Sequence, residues 1–157
     1  MKQAFQIASL LLIILVAFSC VSTSRVAQKI TVESGEIPPE MVTEDFTLIG
    51  VLKGRRSYDK YLKKKFSDYT GDYILATKEE IEKKYSDVNK YRYIMDYQSE
   101  SDVKAGLDNY GQVQSTTGYR YYILDRKEEK GYYRKSRSSA FAKEIEAYLL
   151  AIELARK

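Results

Sequence analysis

Residues 90–98 read KYRYIMDYQ, and this stretch decides the fold. Successive side chains of an extended strand point to opposite faces, so Tyr91, Tyr93, Met95 and Tyr97 are expected on one face. Aromatic residues at every second position favour a strand with one buried face. We therefore expect a sheet at the centre of the protein, with this strand inside it.

The segment upstream of this strand predicts two further strands and two helices. Extended chain is expected at 46–52 and 72–76, with an amphipathic helix at 57–69 between them. Thr77 and Glu80 have the spacing of a capping box, which predicts a short helix to about residue 85.

The segment downstream predicts a long loop, a hairpin and a last helix. Residues 99–117 are polar and contain Gly106 and Gly111, which predicts a functional or mobile connection. Strands are expected at 119–126 and 132–135, turning at 129–131. Ser138 or Ser139 would then cap a helix whose apolar face carries Phe141, Ile145, Tyr148, Leu149 and Ile152.

This order of elements predicts an α+β fold. It consists of a single two-layer domain, with a mixed sheet of about five strands and two or three helices mainly on one face. No internal repeat is visible in the sequence.

The N-terminal residues predict export. Lys2 precedes an apolar run of 12 residues, Ile7 to Phe18, and Ser19 and Cys20 follow. As a helix the run would extend roughly 18 Å, well short of the roughly 30 Å hydrocarbon core of a bilayer. It is the right length for the core of a signal peptide.

The ending Ala17-Phe18-Ser19-Cys20 resembles the lipobox of bacterial lipoproteins, in particular those of the Bacteroidetes group. The resemblance implies cleavage between Ser19 and Cys20, and a diacylglyceryl group with an N-acyl chain on Cys20. Three alternatives stay open: a buried free cysteine, a conventional secretory signal and an uncleaved anchor.

The resemblance implies a division of the chain into three parts. Residues 1–19 would be the signal peptide, 20–44 a lipidated flexible tether interrupted by Gly35, Pro38 and Pro39, and 45–157 the globular domain. The first acidic residue after Cys20 is Glu33, which favours a domain facing the periplasm.

Composition restricts the chemistry open to the chain. Of its 157 residues none is histidine and Cys20 is the only cysteine, so we expect no histidine-based nucleophile and no histidine or cysteine metal site. We expect no cofactor and assign no catalytic residue. The net charge of +4 is modest, and nucleic acid is not expected as a partner behind an export signal.

Motifs that could support catalysis have simpler interpretations. Ser57-x-x-Lys60 and Ser101-x-x-Lys104 match a serine–lysine pattern, but the other motifs of that enzyme class are missing. Adjacent carboxylates at 44–45, 79–80 and 128–129 predict no pair facing across a cleft, as a glycosidase needs.

Two groups of residues are candidates for binding. A basic stripe could contact an anion or lipid headgroups, and its members are Arg55, Arg56, Lys60, Lys63 and Lys64. A tyrosine face could stack on a sugar or peptide, or could be cross-strand packing, and its members are Tyr91, Tyr93, Tyr97, Tyr119 and Tyr121.

The sequence thus predicts a periplasmic protein anchored to the membrane by lipid on Cys20. Its domain would serve binding or envelope maintenance, with an envelope protein or a glycan as partner. A carboxylate-dependent hydrolase and a small inhibitor or immunity-type lipoprotein are the alternatives. A pocket with two facing carboxylates would favour the first, and a protruding 99–117 segment the second.

Overall fold

The computed structural model describes residues 23–107 and 113–157, and the side chains among these outside 101–117. Five strands form one mixed sheet in the order β2-β1-β3-β4-β5. Their bounds are β1 Leu48–Leu52, β2 Tyr73–Thr77, β3 Tyr93–Leu107, β4 Val113–Asp125 and β5 Lys130–Tyr133. The expected α+β domain with about five strands is confirmed.

Besides the helical residues 23–27, the described part of the chain forms three α-helices: α1 Arg56–Ser67, α2 Lys78–Lys84 and α3 Phe141–Ala155. β1 is parallel to both β2 and β3, so α1 and α2 serve as the crossovers. The pairs β3–β4 and β4–β5 are antiparallel. A parallel half of the sheet therefore continues into an antiparallel meander.

Two helices cover one face of the sheet. Leu62 and Phe66 of α1 and Ile145 and Tyr148 of α3 are buried in the same apolar cluster as Tyr93 of β3. The five apolar positions predicted for the last helix are all buried. This face holds the main core, as the periodicity of both helices predicts.

Within the described ranges, α2 is the helix that packs on the other face. Ile81 packs there on Ile49, Val51, Ala76 and Ile94, in a second and smaller cluster. The capping box predicted at the start of this helix is present, since Glu80 N–H donates to Thr77 Oγ1 at 3.3 Å and Thr77 N–H to Glu80 Oε2 at 3.0 Å. The short helix begins where the sequence indicates.

The flexible tether predicted for residues 20–44 is wrong over the part that the structure describes. Ala27, Ile30, Ile37 and Met41 are buried in the main core, and each is at most 2% exposed. Residues 23–27 are helical, and a 3-10 helix follows at Pro39–Val42. Removing these apolar side chains from water outweighs the breaking effect of the glycine and prolines, so the domain includes residue 23 onward.

The loop predicted for residues 99–117 is also wrong. β3 runs on to Leu107 and β4 begins at Val113, and their pairing continues through Glu100–Gly118 to Val103–Ser115 and Leu107–Val113. β1 pairs with β3 at 48–50 and β5 pairs with β4 at 122–125, so no other strand of the described residues pairs with the remote part of this hairpin. We call residues 99–107 and 113–118 the two-stranded arm.

The last turn of the sheet lies slightly earlier than predicted. β4 ends at Asp125 and β5 starts at Lys130, so the connection comprises residues 126–129 rather than 129–131. Asp125 orders this turn, because its Oδ1 accepts from the N–H of Lys127 at 3.0 Å and of Glu128 at 3.3 Å.

Candidate functional site: a groove between two helix ends

A groove of about 460 Å³ opens where α1 and α3 begin side by side. Its lining comes from the first turn of each helix and the residues before α3: Ser57, Tyr58, Tyr61, Ser139, Ala140, Phe141, Ala142 and Lys143. We call it the helix-end groove. It combines aromatic rings, small side chains and hydrogen-bond donors, as binding pockets commonly do.

Aromatic packing holds the two helix ends together behind the groove. The rings of Tyr58 and Phe141 lie edge to face with centroids 4.7 Å apart, and Tyr97 meets Phe141 at 4.8 Å. The hydroxyls of Tyr58 and Tyr119 are 2.5 Å apart, and this hydrogen bond raises the pKa of Tyr58. The groove wall is therefore a rigid aromatic cluster with Tyr61 exposed in front of it.

The electrostatics of the helix-end groove favour a ligand rich in acceptors. Neither N-cap residue, Arg55 of α1 nor Ala140 of α3, supplies a side-chain cap, and the first N–H groups of a helix have no partner within it. The positive ends of both helices lie at this groove, together with exposed Lys143. Arg55 Cζ lies 5.3 Å from the Tyr58 ring centroid and adds a further cation.

The five tyrosines of the predicted ligand face lie in different environments. Tyr93, Tyr97 and Tyr121 are buried under α1 and α3, and each is at most 3% exposed. Burial raises the pKa of Tyr97 to about 12. Tyr119 is half-buried in the aromatic cluster, whereas Tyr91 packs on Tyr85 in the cluster under α2, with centroids 5.0 Å apart.

Three of these tyrosines thus have the positions that cross-strand packing would give them. The exposed ring at the groove is Tyr61, which sequence periodicity assigns to the apolar face of α1. Residue spacing assigns a tyrosine to the apolar face of a helix or strand. Spacing alone does not show whether that ring is buried in the core or exposed at its edge.

The predicted basic stripe is exposed throughout. Arg55, Arg56, Lys60, Lys63 and Lys64 all lie on α1 or directly before it. Arg55 and Arg56 flank the start of α1 and hence the helix-end groove. Lys65 is the next cation of the stripe and pairs with Glu146 of α3 at 2.5 Å.

A second polar cluster lies at the carboxyl end of β1 and was not predicted. Asp96 is 5% exposed, yet Lys53 Nζ lies 2.8 Å from its Oδ1 and Tyr122 OH donates to its Oδ2 at 3.0 Å. Tyr97 N–H also donates to Asp96 Oδ1 at 2.6 Å. One feature of the sequence indicates this cluster: the carboxylate of Asp96 lies on the same strand face as the apolar Ile94.

This cluster borders a shallower groove of about 270 Å³, whose lining includes Ile81 and Glu82 of α2 and Leu124 and Arg126 of the β4 end. Both oxygens of Asp96 are already engaged, and Glu82 is exposed. The N–H groups of Phe141 and Lys143 already donate to the carbonyls of Ser139 and Ala140. The helix-end groove is nevertheless the larger of the two and is lined by the polar side chains of Ser139 and Lys143, so we treat it as the candidate site.

Cys20 and Ser19, the predicted lipidation and cleavage residues, lie outside the described residues. Among residues 23–107 and 113–157 no helix is long and apolar enough to cross a bilayer. Within the same ranges no three carboxylate or cysteine groups come together as a metal site would need.

Comparison with protein-family models, with curated proteins and with solved structures found no match to this chain.

Proposed function

We propose that this chain is a lipid-anchored protein of the bacterial periplasm whose domain binds an acceptor-rich glycan of the cell envelope. The anchor is argued from Lys2, the apolar run 7–18 and Cys20. The binding activity is argued from the helix-end groove. Its single strongest support is that α1 and α3 begin side by side at a groove with an exposed aromatic ring, where neither N-cap residue supplies a side-chain cap.

A glycan suits this groove better than a purely apolar ligand. Sugar rings present C–H faces that pack on aromatic rings, and their hydroxyl and carboxylate oxygens accept hydrogen bonds. Tyr61 would supply the packing surface, and Ser139 with Lys143 the polar contacts. No carboxylate is among the residues that line this groove in the described part of the chain, so an acidic sugar meets no repulsion from its lining.

The binding proposal can be tested with matched tyrosine variants. Tyr61 and Tyr133 are 49% and 45% exposed, but Tyr133 lies on β5 and does not line the groove. Purified peptidoglycan is the probe, and the fraction of protein that co-sediments is measured. We expect Tyr61→Ala to weaken binding about tenfold, the equivalent of about 1.4 kcal/mol, and Tyr133→Ala to leave it unchanged.

Equal binding by Tyr61→Ala and the wild-type chain would contradict the glycan proposal. If peptidoglycan is not bound but an envelope protein co-purifies and is lost with Tyr61→Ala, the groove is a protein-binding site and the glycan assignment is wrong.

The anchor is tested separately by mass spectrometry of the membrane fraction. We expect a chain that starts at a lipid-modified Cys20, and we expect Cys20→Ser to leave the detergent-extracted fraction. An unmodified Cys20 still joined to residues 1–19 would overturn the lipoprotein assignment.

An inhibitor or immunity-type lipoprotein is the second candidate, and the two-stranded arm favours it. A hairpin that extends beyond its neighbouring strands has backbone groups available to pair with another chain. Replacing residues 102–116 by a short Gly-Ser turn separates the two candidates. Glycan binding through the helix-end groove should survive this change, whereas inhibition of a partner enzyme should be lost.

A further inference from the structure

The described part of the chain begins inside the domain. Thr23 is 8% exposed, and residues 23–27 form a helical segment that places Ala27 in the core. Ile30 follows it into the same core. No flexible stretch separates Thr23 from the folded body.

Covalent geometry then limits how far the domain can be from a lipid on Cys20. Three residue steps join Cys20 to Thr23, and a fully extended chain covers at most about 10 Å in that number. If Cys20 carries acyl chains in the bilayer, the surface around Thr23 must lie against the headgroups. This inference rests on the lipid anchor of the proposed function.

Ala27, about one helical turn after Thr23, lies where this segment meets the end of α3. A shallow groove of about 310 Å³ is lined both by the segment 27–33 and by Ala151, Leu154 and Ala155 of that turn. Leu154 is 41% exposed, although it is a large apolar side chain. Arg25 and Lys29 are exposed on the same segment, and Glu33 is its one acidic residue before the buried Glu36.

The helix-end groove lies at the opposite end of α3. Tyr58 contacts Phe141 where both helices begin, and Glu153 Oε1 accepts from Thr70 N–H at 2.8 Å just beyond the end of α1. The two helices therefore run side by side in the same direction. Fifteen residues of α3 correspond to a length of about 22 Å.

We propose that the surface formed by residues 23–33 and the last turn of α3 is a membrane-docking face that seats the domain on the lipid headgroups, with the helix-end groove about 20 Å further out. Arg25 and Lys29 would contact anionic headgroups, and exposed Leu154 would lie at their level. The occupant of this face is the bilayer that holds the protein's own lipid.

This orientation changes the role expected for the basic stripe. Arg55, Arg56 and Lys60 lie at the groove end of α1, whereas the segment 27–33 meets the other end of α3. They are then placed to attract an acidic ligand toward the groove rather than to contact the membrane. Headgroup contact is assigned to Arg25 and Lys29 instead.

A matched pair of labels tests the orientation. Lys29 and Lys60 are both exposed lysines at opposite ends of the domain, and the thiol of a lipidated Cys20 is consumed by its thioether bond. Lys29→Cys and Lys60→Cys are therefore each expected to offer one reactive thiol. The full-length lipidated variants are labelled with a fluorophore and inserted into vesicles of phosphatidylethanolamine and phosphatidylglycerol that contain a headgroup nitroxide quencher.

We expect quenching to be several-fold stronger at position 29 than at position 60. Both variants must first show the same urea unfolding transition as the wild-type chain. Equal quenching, or stronger quenching at position 60, overturns the orientation while mass spectrometry still shows a lipidated Cys20. A chain without lipid on Cys20 overturns the anchor and the docking face together, so the two failures are distinguishable.

Discussion

Arg134 and Glu36 form a buried ion pair across 98 positions of the chain, with Nη1 donating to Oε1 at 2.9 Å. Glu36 is 1% exposed and also accepts from Lys135 N–H at 2.6 Å and from Ser34 Oγ at 2.9 Å. Arg134 is shared with Glu144 of α3, whose Oε2 lies 3.4 Å from its Nε. The pair joins the N-terminal segment to β5 and the helical layer.

Glu36→Gln should lower the free energy of unfolding by about 3 kcal/mol, because it leaves a buried guanidinium with half of its charge compensation. Glu33→Gln is the matched control, since Glu33 is exposed, and we expect a change within about 0.5 kcal/mol. Urea unfolding measures both. Equal effects of the two substitutions would contradict a structural role for Glu36.

A chain that begins at residue 45 should not fold. It lacks three large buried side chains, Ile30, Ile37 and Met41, and each contributes roughly 1.5–3 kcal/mol when buried. Their sum approaches the whole stability of an ordinary domain, about 5–15 kcal/mol. Near-ultraviolet circular dichroism should show fixed tyrosine packing in a chain of residues 23–157 and none in residues 45–157. Identical spectra and urea transitions would restore the tether interpretation.

Asp125 should make stability depend on acid pH. Its side chain is fully buried and receives Arg92 Nε at 3.0 Å and Nη2 at 2.8 Å. Burial alone would raise the pKa of Asp125, but the hydrogen bonds from Arg92 and from the turn N–H groups outweigh it and hold the pKa below its usual value. A carboxyl with a lowered folded pKa stabilises the fold above its unfolded pKa, about 3.9, and the contribution is lost as pH falls through the folded value.

We therefore expect the free energy of unfolding to fall steadily below about pH 4 in the wild-type chain. Asp125→Asn should be less stable at pH 7 by about 3 kcal/mol and should vary less with pH in the acid range. Asp45→Asn is the control, because Asp45 pairs with Arg156 at the surface and should contribute less than about 1 kcal/mol. If the free energy of unfolding depends on pH in the same way in the wild type and in Asp125→Asn, Asp125 is not the group responsible for the acid dependence.

Gly50 should not tolerate a methyl group. A Cβ at this position of β1 would lie 2.7 Å from Leu75 Cδ2 and from Phe66 Cζ, because the Phe66 ring packs directly on the strand. Gly50→Ala is expected to lower the free energy of unfolding by roughly 1–3 kcal/mol. Phe66→Leu in the same chain should recover part of that loss in thermal unfolding. If Phe66→Leu instead lowers the stability of the Gly50→Ala chain further, the clash is not with Phe66.

Local sequence patterns predicted the elements that depend on contacts between neighbouring residues. The capping box of Thr77 and Glu80 and the apolar face of α3 are found where the sequence indicates them. The strand predicted at 90–98 begins only at Tyr93, and the prediction that Tyr91 shares the face of Tyr93, Met95 and Tyr97 is wrong, because Tyr91 packs in the smaller cluster under α2. The two-layer α+β fold follows from these elements, since each has one apolar face to bury. Composition alone likewise excludes histidine chemistry and leaves Cys20 as the one thiol.

The errors arose where non-local contacts outweigh local signals. Gly35, Pro38 and Pro39 indicate a break in regular structure, yet the ordered turn of Thr31 and Ser34 and the pair of Glu36 with Arg134 hold this segment in place. The polar residues 99–107 and 113–117 form strands because each strand pairs with the other. Pairing between two separate segments produces no hydrophobic periodicity within either segment, so the local pattern does not predict it.

The sequence by itself determined the class of the fold and the absence of histidine, and it predicts the export signal around Cys20. Only the tertiary structure decided which tyrosines are core and which is exposed, and that two helix ends form one groove. It alone gives residues 23–44 a place in the domain, and with it the short distance between Cys20 and the folded body. The reason is that burial and ion pairing depend on distant partners, such as Asp45 and Arg156 at a separation of 111 positions, whereas periodicity reports only on near neighbours.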